Sequence, residues 1–185
     1  MKVVKESFSS QIEVKKSIFI AHLVPFSKFN STKEQLKLKH KKANHIVWAY
    51  RKINQFNQIE EGSSDDGEPK GCAGVPALNV LRGEELVDVG VLIVRYFGGI
   101  KLGTGGMARA YSQATKSVIE VAKLKPYQKI ESFEFESSYK ALREIEYHLK
   151  SLNILEVSRD FQADRVKWRV LADTLSIQRL KELLS

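Results

Sequence analysis

Apolar and polar residues alternate along Ile18-Phe19-Ile20-Ala21-His22-Leu23-Val24, the period-two pattern of a half-buried strand. Pro25 closes it, because proline has no backbone donor with which to extend a ladder. Asn30, Ser31 and Thr32 offer N-caps for a helix that carries Leu36 among lysines and ends near Ala43. Ile46-Val47-Trp48-Ala49-Tyr50 predicts a second strand, and the stretch from Asn54 to Gly71, rich in Asn, Gln, Ser, Asp and Gly, predicts a long irregular loop. A short helix is expected from Gly71 to Leu81, with Val75, Leu78 and Leu81 at helical spacing and Pro76 in its first turn. The run from Val87 to Phe97 has the length and β-branched content of a central strand. After a glycine-rich segment, Thr104 is placed to cap a long helix whose Met107, Ala110, Tyr111, Ala114, Val118 and Val121 form one apolar stripe.

Pro126 marks a change of pattern. Beyond it come a strand with Phe133 and Phe135 alternating, a helix with Leu142, Ile145 and Leu149, and a strand around Ile154 to Phe161. A tight turn, a strand with Val166, Trp168 and Val170, and a helix from Leu175 to Leu184 follow. This βαββα order builds a sheet with helices on one face. The expectation is an α+β protein of two domains, residues 1–125 and 126–185, each with its own apolar pattern and each able to fold alone.

Composition narrows the function classes. Apolar residues make up 43% and charged residues 28% of the 185, a globular balance. No apolar run approaches the roughly 20 residues of a membrane span, and the charged start Met1-Lys2-Val3-Val4-Lys5-Glu6 lacks the apolar core of a signal peptide, so a cytoplasmic protein is expected. Cys72 stands alone with no neighbouring base, which reads as a small buried thiol. Residues 1–60 carry 12 Lys and Arg against 4 Asp and Glu, whereas the remainder carries 18 of each, so the whole net charge of +8 lies in the first third. That asymmetry predicts an electropositive face.

Three segments carry candidate chemistry. From Gly98 to Gly106, the glycines Gly98, Gly99, Gly103, Gly105 and Gly106 join a buried strand to a helix N-terminus, where free N–H groups and the helix dipole suit an anion. Arg95, Lys101 and Arg109 would add charge; the plainer alternative is that the glycines only permit close packing. The segment is not a Walker loop, because Thr104 follows Gly103 directly without the phosphate-gripping Lys. Nor is it a dinucleotide fingerprint, since Gly103 lies too far beyond the strand and Glu120 falls inside the helix. Asp65, Asp66 and Glu68, three carboxylates in four positions, would hold a hard cation or supply a general base with His45 nearby; the plainer alternative is that Asp65 and Asp66 cap a turn or helix and pair with nearby Arg or Lys. Lys37, Lys39, Lys41 and Lys42, opposed only by Glu34, are denser than a solvated helix face requires and are candidate nucleic-acid contacts. Neither a cofactor nor a resident metal is expected.

Three blocks together, Ala43-Asn44-His45 through Arg51, Ser64-Asp65-Asp66-Gly67-Glu68-Pro69 through Pro76, and Arg95-Tyr96-Phe97-Gly98-Gly99 through Arg109-Ala110-Tyr111, resemble the signature of the IMPACT family, and the remainder resembles its bacterial YigZ-like members. Cys72 stands where Thr is usual and Met107 where Leu is common. The resemblance implies an N-terminal domain of ribosomal-protein type, similar to domain IV of elongation factor G, with a left-handed βαβ crossover that pattern alone would not suggest. It implies a ferredoxin-like C-terminal domain similar to domain V of that factor. RNA or the ribosome is then the leading partner, by fold analogy. Eukaryotic members regulate translation by competing for an activator of an initiation-factor kinase, and they carry an extra N-terminal interaction domain for which this length leaves no room. Three expectations follow: a basic RNA- or ribosome-binding module acting in translation, an enzyme using the acidic loop, and a regulator that binds a protein partner.

Overall fold

The computed structural model describes all residues from 1 to 185. The chain divides into two compact units, Met1–Tyr127 and Gln128–Ser185. In the first, chain order runs β1 (Lys2–Val3), β2 (Phe8–Val14), β3 (Ser17–Pro25), α1 (Phe29–Lys39), β4 (His45–Ile53), β5 (Ile59–Ser64), α2 (Gly74–Gly83), β6 (Val89–Tyr96), α3 (Gly103–Glu120) and β7 (Lys125–Pro126). β2, β3, β6, β4 and β5 lie in that order in one antiparallel sheet. β1 pairs with β7 and so ties the two ends of the unit together.

β6 is the central strand, as its apolar run predicts, and both of its faces are covered. Val89, Val91 and Ile93 join the core under α2 and α3, together with Phe19, Ala21, Leu23, Val47 and Ala49. Leu92 and Val94 point to the opposite core, closed by Phe29 and Leu36 of α1. The helices therefore sandwich the sheet, α1 on one face and α2 with α3 on the other.

Several expectations need correction. The stretch read as a loop from Asn54 to Gly71 contains β5, an edge strand hydrogen-bonded to β4 from Ile53↔Ile59 to Trp48↔Ser64. α1 begins at Phe29 and ends at Lys39, short of Ala43, and none of Asn30, Ser31 or Thr32 caps it; the Ser31 hydroxyl instead donates to the Lys28 carbonyl. Thr104 is not a cap either, for α3 already begins at Gly103. Val75 and Val121 are exposed rather than members of their helices' apolar stripes. Gly98 is held to glycine by space, because a Cβ there would stand 2.0 Å from the Lys16 carbonyl carbon in the β2–β3 turn.

The second unit follows the expected order: β8 (Ile130–Ser137), α4 (Leu142–Ser151), β9 (Glu156–Phe161), β10 (Val166–Asp173) and α5 (Thr174–Leu184). Its antiparallel sheet has the order β8-β10-β9, the ferredoxin-like arrangement of these elements. Ile145, Leu149, Ile177 and Leu180 of the helices cover Val166, Trp168 and Val170, and Trp168 gives its indole N–H to Ser137 at 2.9 Å. Asp173 caps α5 by accepting from the Ser176 amide at 3.0 Å. No helix is long and apolar enough to cross a membrane.

Candidate functional site

Register brings the first pair of site residues together. His45 opens β4 and sits directly across from Arg95 near the end of β6, while Phe19 of β3 sits across from Arg95 on the other side. Period-two alternation places Arg95 on the same face as Val91 and Ile93, toward α3, so a guanidinium enters an apolar row and is 4% exposed. Such a charge needs a buried counter-ion. Glu68 supplies it: one carboxylate oxygen lies 2.5 Å from Arg95 Nη1 and accepts the Tyr111 hydroxyl of α3 at 2.8 Å. The other oxygen lies 3.6 Å from His45 Nε2. Burial, reinforced by the Glu68 charge, pushes the Tyr111 hydroxyl well above its ordinary pKa, so it stays a proton donor.

The remaining carboxylates hold the loop's shape. Asp65 accepts the amides of Gly71 at 2.8 Å, Ala73 at 3.0 Å and Gly74 at 2.8 Å, which fastens the loop to the first turn of α2. Asp66 accepts the Ile46 amide at 2.6 Å, and its own carbonyl accepts the His45 Nδ1–H at 2.7 Å. Because a carbonyl only accepts, the second bond fixes the proton on Nδ1. Asp65 and Asp66 thus engage backbone amides, and of the three carboxylates it is Glu68 that pairs with an arginine. No group of three or more His, Cys, Asp or Glu side chains is placed to hold a metal ion.

Desolvation raises the Asp65 pKa, but the three backbone donors outweigh it and the net shift is downward. A carboxyl with a depressed folded pKa contributes stability that is complete above its unfolded pKa and is lost as pH falls through the folded one. Asp65→Asn puts an amide donor against amide donors and is expected to cost about 1–2 kcal/mol at pH 7, the scale of a lost helix cap. Urea unfolding at pH 7 and near pH 3 should show the gap between variant and parent shrink in acid; an equal gap at both would mean that the charge is not what binds the loop.

Arg95 and His45 also line a cleft of about 430 Å³ with Asn44, Pro69, Phe97, Lys101, Leu102, Gly103, Thr104 and Met107. The glycine-rich segment and the network anchored by Glu68 thus meet at one place. Gly99 and Gly103 adopt φ values of +85° and +71°, which suit glycine, whereas Gly105 and Gly106 lie within the first turn of α3. Arg109 is not in the cleft: it lies one turn along α3 from Gly105 and lines a shallow depression with Lys116. Lys37, Lys39, Lys41 and Lys42 are exposed on α1 and the turn after it. Only Lys37 among them is paired, with Glu34 at 3.2 Å. The chain runs from Lys42 to the cleft's Asn44 in two residues, and the Asn44 side chain accepts the Phe97 amide at 2.8 Å.

The family model described as the Impact N-terminal domain matches residues 15–119. An IMPACT family member of Haemophilus influenzae is 32% identical over 165 residues, spanning 88% of this chain and 80% of the relative. The IMPACT family member YigZ of Escherichia coli is 31% identical over 156 residues, spanning 82% and 76%. A crystal structure described as that of a hypothetical protein superposes with a TM-score of 0.75 at 27% identity, covering 99% of this chain and 90% of its own.

Proposed function

The chain belongs to the IMPACT family, and from that premise we propose that it is a binding protein for RNA or the ribosome that acts in the regulation of translation, rather than an enzyme. The observation that carries this reading is the cleft at the start of α3, where Arg95 and Lys101 meet a helix N-terminus without a side-chain cap or an acidic residue in its first turn. Free N–H groups and the positive end of the helix dipole favour an anion. The exposed Lys37, Lys39, Lys41 and Lys42 sit on α1, which packs on the other face of the sheet, and on the turn after it, and they add positive surface beyond one phosphate.

Against an enzyme acting through the acidic loop stand the three backbone amides that occupy both oxygens of Asp65, the bond of Asp66 Oδ2 to the Ile46 amide, and the pairing of Glu68 with Arg95. A general base needs a free acceptor within reach of its substrate. The test is binding of the intact protein to unstructured single-stranded RNA, and its co-sedimentation with ribosomal subunits, over a series of salt concentrations. Binding at low salt that weakens steadily as salt rises is expected. Absence of binding to both at low salt would overturn the proposal and leave a protein partner as the reading to pursue.

A further inference from the structure

We propose that the cleft at the head of α3 is a pocket for one nucleoside monophosphate unit, with the phosphate at the helix N-terminus and the base against Phe97. The proposal rests on the RNA reading above and specifies which part of an RNA the site takes: a nucleotide bearing a terminal phosphate.

The polar half of the pocket is the start of α3. This helix runs for 18 residues and has no side-chain cap, and its Gly103 and Thr104 line the cleft. Independently, Arg95 lines the same cleft while 4% exposed, and its Nε has no hydrogen-bond partner. Arg51, the other buried arginine of the unit, differs: its Nε donates to Glu61 at 2.8 Å and its Nη1 to the Leu86 carbonyl at 2.9 Å. Buried guanidinium donors are normally satisfied, so this orphan leaves the Arg95 charge, at the wall of the cleft beside an uncapped helix, short of the acceptors that a buried guanidinium usually has. Glu68 offsets one positive charge of the Arg95 and Lys101 pair, and the cleft keeps a net positive charge suited to phosphate.

Phosphate alone would not explain the other half. Phe97 is 47% exposed, and the Arg95 guanidinium carbon lies 5.7 Å from its ring. Pro69, Leu102 and Met107 complete an apolar wall. An exposed ring backed by arginine is a stacking platform for a base. The volume of about 430 Å³ lies in the range of small-molecule sites and suits one nucleotide rather than a duplex.

The experiment titrates the intact protein with adenosine 5′-monophosphate, adenosine and inorganic phosphate, following backbone amides by NMR. It then compares a 5′-phosphorylated RNA hexamer with the same hexamer ending in 5′-hydroxyl. The monophosphate should shift the amides of Gly103 and Thr104 and bind at least about tenfold tighter than adenosine or inorganic phosphate, a factor that one added phosphate or stacking contact supplies. The phosphorylated hexamer should outbind its hydroxyl counterpart by a similar factor if the source is an RNA end; equal hexamers with tight monophosphate binding would assign the pocket to free nucleotide. Thr104→Glu places a carboxylate in the helix's first turn, where it complements the dipole, so thermal stability should hold or rise while monophosphate binding falls at least tenfold. Phe97→Ala should reduce the monophosphate to the affinity of inorganic phosphate. No amide shift with the monophosphate, or unchanged affinity in Thr104→Glu, overturns the pocket. Hexamers that bind without preference for the phosphate, alongside a silent monophosphate titration, would overturn it while leaving the RNA reading intact.

Discussion

Replacing Glu68 with alanine is expected to lower the free energy of unfolding by about 3–5 kcal/mol, the cost of stranding one member of a buried ion pair. Glu68 is 8% exposed, and two groups depend on it, Arg95 and the Tyr111 hydroxyl. Alanine leaves the Arg95 charge buried among Phe19 and the β6 row, and it leaves the Tyr111 donor facing nothing. Glu68→Gln should cost less, since an amide oxygen can still accept from both Arg95 and Tyr111 although the charge is gone. Combining Glu68→Leu with Arg95→Met should recover most of the stability, because the pair is removed together rather than broken. Denaturant unfolding of the three variants decides the matter: a loss below about 1 kcal/mol in Glu68→Ala would show that the pair is not buried in solution.

The part of the fold legible in the sequence is the part whose elements bury a whole face. β6 and α3 announce themselves because apolar residues fill most inward positions, and the second unit does so because Phe133, Phe135, Trp168 and the two helices repeat their periods cleanly. β5 is silent because it is an edge strand hydrogen-bonded to one neighbour; Ile59-Glu60-Glu61-Gly62-Ser63-Ser64 has little apolar alternation to show. The β2–β3 hairpin turns through Lys15 and Lys16 at φ of 47° and 64°, where a Gly or Asn would have signalled the turn.

The candidate site was legible as residue types and not as a constellation. Its ingredients lie far apart in sequence, Glu68 being 27 residues from Arg95 and 43 from Tyr111. Their meeting depends on β4 pairing with β6 in one register. One local signal was available: alternation along β6 puts Arg95 on the same face as Val91 and Ile93, and a charge in that row calls for a buried carboxylate. Arg109 misled for the opposite reason, since nearness to the glycine segment in sequence does not say which side of α3 a residue faces.

Changing Lys37, Lys39, Lys41 and Lys42 together to alanine is expected to weaken single-stranded RNA binding on the order of a hundredfold at 0.1 M salt, with little effect on stability. Each phosphate contact on a single strand contributes roughly 0.7 to the slope of log affinity against log salt, so losing four would flatten it by about 3. Lys37 contributes least if its bond to Glu34 survives in solution, which sets the lower end of the effect. The side chains are exposed, so unfolding free energy should stay within about 0.5 kcal/mol of the parent, and lost binding could not be put down to lost folding. Contacts to phosphate carry no base information, so the loss should be the same for pyrimidine-rich and purine-rich strands. The discrimination between phosphorylated and hydroxyl RNA ends should persist, since it belongs to Arg95, Lys101 and the start of α3 rather than to α1. Unchanged slope and affinity in the quadruple variant would remove the α1 lysines from the interface and confine any RNA contact to the cleft.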